Sequence, residues 1–118
     1  MKKAFTLPTC TTCKRIFDEL QPAAHGCEVV DIKSEGIAPE DLDAMAAHAG
    51  SYEALFSRRA MKFRSMGLAD QELTEADYRR LILEEYTFLK RPVFLFDDAV
   101  TAGSAKAAVA EARERLNG

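Results

Sequence analysis

The sequence predicts an α/β fold: a four-stranded mixed sheet built from a βαβ unit and a ββα unit, with a helical subdomain inserted between them. Three observations lead there. Short apolar runs rich in β-branched and aromatic residues stand near both ends of the chain. The stretch of about fifty residues between them carries helical periodicity only. Pro, Gly and Asp clusters separate the segments, as turn chemistry requires.

Lys2 to Leu7 is a short strand stopped by Pro8, and Cys13-Lys14-Arg15-Ile16-Phe17-Asp18-Glu19-Leu20 places its apolar residues at helical spacing. That helix ends near Gln21-Pro22. After His25-Gly26, the run Cys27-Glu28-Val29-Val30-Asp31-Ile32 suits a second strand, and a βαβ unit makes the two strands parallel. The middle predicts three helices: Pro39 to His48, closed by Gly50; Ser51 to about Ser65, stopped by Gly67; and about Thr74 to Phe88. Pro39 with Glu40 and Asp41, and Thr74 with Glu75 and Asp77, are helix starts with acidic first turns. Val93-Phe94-Leu95-Phe96, an Asp97-Asp98 turn and Ala99-Val100-Thr101-Ala102 form a hairpin, and a last helix runs from about Ala105 to Leu116. This order is the thioredoxin-like arrangement, a single domain over residues 1–118 with its helical insertion at about 39–89.

The 118 residues are enough for one core, and 47% hydrophobic with 30% charged residues describes an ordinary globular chain. A net charge of −3 argues against binding nucleic acid through phosphate neutralisation. No signal-peptide pattern or membrane-length apolar run is present, so a cytoplasmic location is expected. In a reducing compartment the three cysteines are expected to be catalytic, redox-sensing or metal-binding rather than structurally bridged.

Cys10-Thr11-Thr12-Cys13 falls between strand and helix. Backbone N–H groups at a helix start, with the positive end of the dipole, favour a thiolate there. Cys10 is therefore the expected nucleophile. Cys13, one turn on, can attack a mixed disulfide formed at Cys10 and resolve it. Lys14 and Arg15 add positive charge. Two other readings of the pair are small buried residues without a role, or a zinc site shared with His25 and Cys27. Cys27 by itself fits packing at a strand start, and His25 and His48 fit surface or helix-end positions. No metal or bound cofactor is assigned.

Lys90-Arg91-Pro92 precedes the third strand, where a cis proline would lay backbone against the cysteine loop, although most X–Pro bonds are trans. Arg58 and Arg59 fall on the second inserted helix, pointing about 100° apart, so that one can face the loop. Arginine forks bind oxyanions or carboxylates bidentately. A thiolate beside them describes either an oxyanion-reducing or a peptide-thiol site.

The chain resembles the arsenate reductase family of the glutaredoxin-coupled type, which includes Spx-type regulators. The resemblance rests on Cys10-Thr11-Thr12-Cys13-Lys14-Arg15 after a strand, Ser51-Tyr52-Glu53-Ala54-Leu55-Phe56 and Met66-Gly67-Leu68 in the helical middle, and Leu89-Lys90-Arg91-Pro92 before the hairpin. It implies that Cys10 attacks an oxyanion, that glutathione and glutaredoxin complete the reduction, and that Arg91 holds the anion. Arg58 matches a second family arginine with a shift. The third falls near Gly103, within Thr101-Ala102-Gly103-Ser104, where no arginine stands. Cys13 occupies a position held by a hydroxyl residue in the single-cysteine reductases, and a CxxC is a feature of the Spx-like branch.

The expected function is a cytosolic thiol-dependent reductase acting on a small oxyanion or thiol substrate. Glutathione with glutaredoxin, or thioredoxin, would be the external reductant. The alternative is an Spx-like regulator whose Cys10–Cys13 disulfide alters a surface contacting RNA polymerase.

Overall fold

The computed structural model describes residues 2–117. Its elements are β1 (Lys3–Thr6), α1 (Thr11–Leu20), β2 (Glu28–Asp31), α2 (Pro39–Ala49), α3 (Met61–Ser65), α4 (Glu75–Glu84), β3 (Val93–Leu95), β4 (Val100–Ala102) and α5 (Lys106–Asn117). The strands form one mixed sheet in the order β2-β1-β3-β4. β1 and β2 are parallel, with α1 as the crossover that parallel strands need, and β3 is antiparallel to both β1 and β4. This is the thioredoxin-like mixed sheet. No helix among the described residues is long and apolar enough to cross a membrane.

Ile37–Lys90 forms one compact unit, and the segments on either side of it form the other. In the sheet unit, α1 turns Cys13, Ile16 and Leu20 inward, a three- and four-residue spacing that makes one buried stripe. Ile16 and Leu20 pack with Ala4, Phe94, Phe96, Ala112 and Leu116, so β1, α1, β3 and α5 share a core. The Phe17 and Phe94 rings meet at 5.6 Å. Each aliphatic or aromatic side chain fully buried in this way contributes about 1.5–3 kcal/mol.

In the inserted unit, α2 begins at Pro39 and ends at Gly50, whose φ of 98° is readily adopted only by glycine. α4 starts with a reciprocal capping box in which Thr74 Oγ1 accepts from the Asp77 N–H and the Asp77 carboxylate accepts from the Thr74 N–H. Phe56 stacks on Phe88 at 4.9 Å and meets Tyr78 edge-on at 4.9 Å.

The second inserted helix expected over Ser51–Ser65 is not continuous. A single 3₁₀ turn at Glu53–Leu55 gives way to extended backbone at Phe56, and helix resumes only at Met61. The cause is non-local pairing: Phe56 bridges Leu89, the Ser57 N–H donates to the Phe88 carbonyl at 2.7 Å, and the Lys90 N–H to the Leu55 carbonyl at 2.8 Å. Arg58 and Arg59 therefore lie in the turn before α3, and helical geometry does not set their directions. The third expected helix also stops early, at Glu84, and Tyr86–Phe88 is a 3₁₀ turn that feeds this bridge.

Candidate active site

Strand register brings the sequence-predicted residues of the sheet unit to one edge. Val93 pairs with Phe5 in an antiparallel ladder, so Arg91 and Pro92 reach the end of β1 from which the cysteine loop departs. Val93 also pairs with Ala102, and the Gly103 N–H donates to the Pro92 carbonyl at 2.9 Å. Cys10, Cys13, Arg91, Pro92 and Gly103 thus share the edge at the carboxyl end of β1. The Arg91–Pro92 peptide bond is cis.

Cys10 is the N-cap of α1, with extended backbone at φ −88° and ψ 110°. Its N–H donates to the Leu7 carbonyl at 2.9 Å, closing the loop, and its sulfur accepts from the Cys13 N–H at 3.4 Å. The cysteine therefore takes the role that Ser, Thr or Asp fills at most helix starts, which aims otherwise unpaired donors at sulfur. Burial by itself would raise the Cys10 pKa. Hydrogen bonds from the Cys13 side chain and backbone, followed by a hydrogen bond and positive charge from Arg91, outweigh it and hold the thiol below its ordinary value. Lys14 and Arg15 are exposed on the first turn of α1.

Cys13 is fully buried. Burial raises its pKa, and the adjacent Cys10 sulfur raises it further, by hydrogen bonding and by charge. Donors at Leu7 and Thr6 oppose the shift, and the thiol stands pushed up to about 11. The two sulfurs are free and differ in character, one poised to ionise and one held protonated.

Arg58 belongs to the inserted unit, where its guanidinium donates to Glu53 at 2.8 Å and to the Tyr78 hydroxyl at 3.0 Å. Cys27 sits before β2, at the sheet edge opposite Cys10, within the apolar cluster of Ile16, Leu20 and Phe94. A ligand set of Cys10, Cys13, His25 and Cys27 therefore does not converge. Among the described residues, no group of three or more His, Cys, Asp or Glu is placed to hold a metal ion. His25 is half-buried with its carbonyl accepting from Lys2 Nζ, and His48 is exposed in the last turn of α2. Thr6 had no motif to mark it. Its only sequence signal is a hydroxyl within an otherwise apolar Ala4-Phe5-Thr6-Leu7 run.

Fold and site together define a thioredoxin-like protein with a CxxC dithiol at a helix start. A family model described as the ArsC family matches residues 5–112, and the chain belongs to the ArsC family. Among solved structures, an ArsC family related protein from Bacteroides fragilis superposes with a TM-score of 0.80 at 19% identity, covering 98% of this chain and 96% of that one. An arsenate reductase from Vibrio cholerae gives 0.78 at 15% identity, covering 93% and 95%. An arsenate reductase (ArsC) related protein from Brucella melitensis is 26% identical, with a TM-score of 0.66 over 90% and 88% of the two chains. No curated protein matches significantly.

Proposed function

We propose that this ArsC-family chain is a cytosolic thiol-dependent reductase in which Cys10 attacks the substrate and Cys13 resolves the product. The observation that carries this reading is the Cys10 sulfur itself, capped by the Cys13 N–H and faced by Arg91. With a disulfide substrate, the Cys10 thiolate attacks one sulfur, the S–S bond breaks and one thiolate leaves. Cys13 then attacks the Cys10 sulfur, releases the second thiolate and leaves a Cys10–Cys13 disulfide. Two electrons pass to the substrate. A bound oxyanion follows the same course: Cys10 displaces water from the oxidised centre, and attack by Cys13 on the Cys10 sulfur releases that centre reduced by two electrons.

The opposed sulfurs set the order of events. While Cys10 is a thiolate, its charge and hydrogen bonding keep Cys13 protonated. Once the Cys10 sulfur is covalently engaged, both influences end and Cys13 ionises more readily, when its attack is needed. Glutathione with glutaredoxin, or thioredoxin, would reduce the resulting disulfide, in line with reductants used by the family. Arg91 supplies the anion contact, and Arg58 donates to Glu53 and Tyr78 within the inserted unit.

Mutation of each cysteine tests the reading. Cys10→Ser should abolish turnover, whereas Cys13→Ser should accumulate a substrate adduct on Cys10 visible by mass spectrometry. Equal activity in both variants would overturn it. Parallel assays of arsenate and a glutathione mixed disulfide would define the substrate, because no arginine stands near Gly103, where the resemblance places a third.

A further inference from the structure

We propose that Thr6 is a positioning residue for the resolving thiol: its buried hydroxyl, with the Leu7 N–H, forms a two-donor cradle that receives the Cys13 sulfur as it ionises. This rests on the reductase reading and assigns Thr6 to its second step.

Three independent features of the fold place Thr6 there. Thr6 follows Ala4 by two residues in β1, so both side chains face the side of the sheet covered by α1, where Ala4 packs with Ile16 and Leu20. Cys13 begins the same inward stripe of α1, one turn before Ile16, which sets it over the end of β1. Thr6 is 9% exposed, and it and Thr101 are the buried polar residues among those described. A buried hydroxyl requires a hydrogen-bond partner, and hydrogen bonding from the Thr6 side chain and the Leu7 backbone opposes the rise in the Cys13 pKa.

These donors are separate from those serving Cys10, which come from the Cys13 backbone and side chain and from Arg91. They also outlast the first chemical step. When Cys10 enters a mixed disulfide, it no longer opposes ionisation of Cys13, but burial still does. Thr6 and Leu7 then provide the stabilisation that lets Cys13 lose its proton. The leaving group departs from the Cys10 sulfur, and no further oxidant or reductant enters this step.

The test uses Thr6→Val, which keeps the branched shape and removes the donor, and Thr6→Ser, which keeps the donor. In the Cys10→Ser, Cys27→Ala background Cys13 is the sole thiol, and its ionisation is read from thiolate absorbance against pH. Thr6→Val should move the midpoint upward, lowering the thiolate fraction about two- to tenfold at a given pH below it. Thr6→Ser should restore it. In the enzyme with both active-site cysteines, Cys10 loaded with glutathione should close to the Cys10–Cys13 disulfide more slowly in Thr6→Val. The factor should be smaller, because a more basic thiolate is also more nucleophilic. Attack by Cys10 on the glutathione disulfide should be unchanged. An unmoved midpoint, or a serine variant that behaves like valine, overturns the proposal. If Thr6→Val does not fold, Thr6→Ala is read against Thr6→Ser by the same two measurements. Failure of Cys10 to react with any disulfide or oxyanion substrate would instead overturn the reductase reading, and the Cys13 titration would still decide the role of Thr6.

Discussion

Cys10 and Cys27 occupy opposite ends of the same sheet, and their surroundings differ more than their exposure suggests. Cys27, 8% exposed, lies among Ile16, Leu20, Phe94 and Leu116. Burial raises its pKa, with the positive charge of Lys2 opposing it. Cys10 also loses solvent, yet its pKa falls because backbone, thiol and guanidinium donors converge on the sulfur. Burial without donors makes a cysteine a small hydrophobe, whereas burial with oriented donors makes it a nucleophile. Cys13 is intermediate, fully buried and raised to about 11, with hydrogen bonds from Leu7 and Thr6 opposing the rise.

Exchange of the sulfurs should break this contrast most severely. Cys10→Ser is expected to reduce turnover to background, while Cys27→Ser leaves the chemistry intact in steady-state assay. Next in size is Arg91→Ala. Loss of the guanidinium removes a hydrogen bond and a positive charge that lower the Cys10 pKa, so iodoacetamide reactivity at neutral pH should fall severalfold. The sign follows from the depressed pKa: Cys10 stays thiolate down to a pH below the ordinary thiol range, and reactivity falls as pH drops through that value. Arg91→Ala should move the fall to higher pH. Arg91→Lys should recover part of the charge effect without the fork geometry.

A smaller effect is expected at Cys27. Cys27→Ala removes a buried sulfur and should cost about 0.5–3 kcal/mol in urea denaturation, with Cys10 alkylation unchanged. Slower alkylation of Cys27 than of free cysteine would complete the contrast. The smallest effect belongs to the inserted unit. There Arg79 grips the Asp43 carboxylate at 2.8 and 3.2 Å, and the Tyr52 hydroxyl donates to it at 2.6 Å. These hydrogen bonds, Arg79 first, lower the Asp43 pKa. Its contribution to stability is present above the ordinary aspartate pKa and is lost as pH falls through the depressed folded value. Asp43→Asn should therefore lower stability slightly in the neutral region, leave it nearly unchanged in strong acid, and so flatten the acid limb of a stability–pH profile.

Legibility in the sequence tracked the range of the interactions involved. The strand ends, the cap of α1, Pro39 and Gly50 around α2 and the Thr74–Asp77 box are set by residues within a few positions of each other, and their sequence patterns correspond to the observed elements. Ser51–Ser65 carries helical periodicity as well, but pairing of Phe56 with Leu89 holds it extended midway. The backbone hydrogen bonds there come from residues more than thirty positions away, which no local pattern encodes. For the same reason Arg58, expected on a helix, lies in a turn with Glu53 and Tyr78 as partners.

By itself the sequence determined the family pattern, the mixed α/β order and a CxxC pair at a helix start, because apolar periodicity, caps and cysteine spacing are local properties. Tertiary structure decided which groups surround each sulfur. Antiparallel register carried Arg91 to Cys10, strand alternation turned Thr6 toward Cys13, and the parallel pairing of β1 with β2 sent Cys27 to the far edge. Thiol reactivity depends on the donors and burial around each sulfur, and those arise from segments that meet only after the chain has folded.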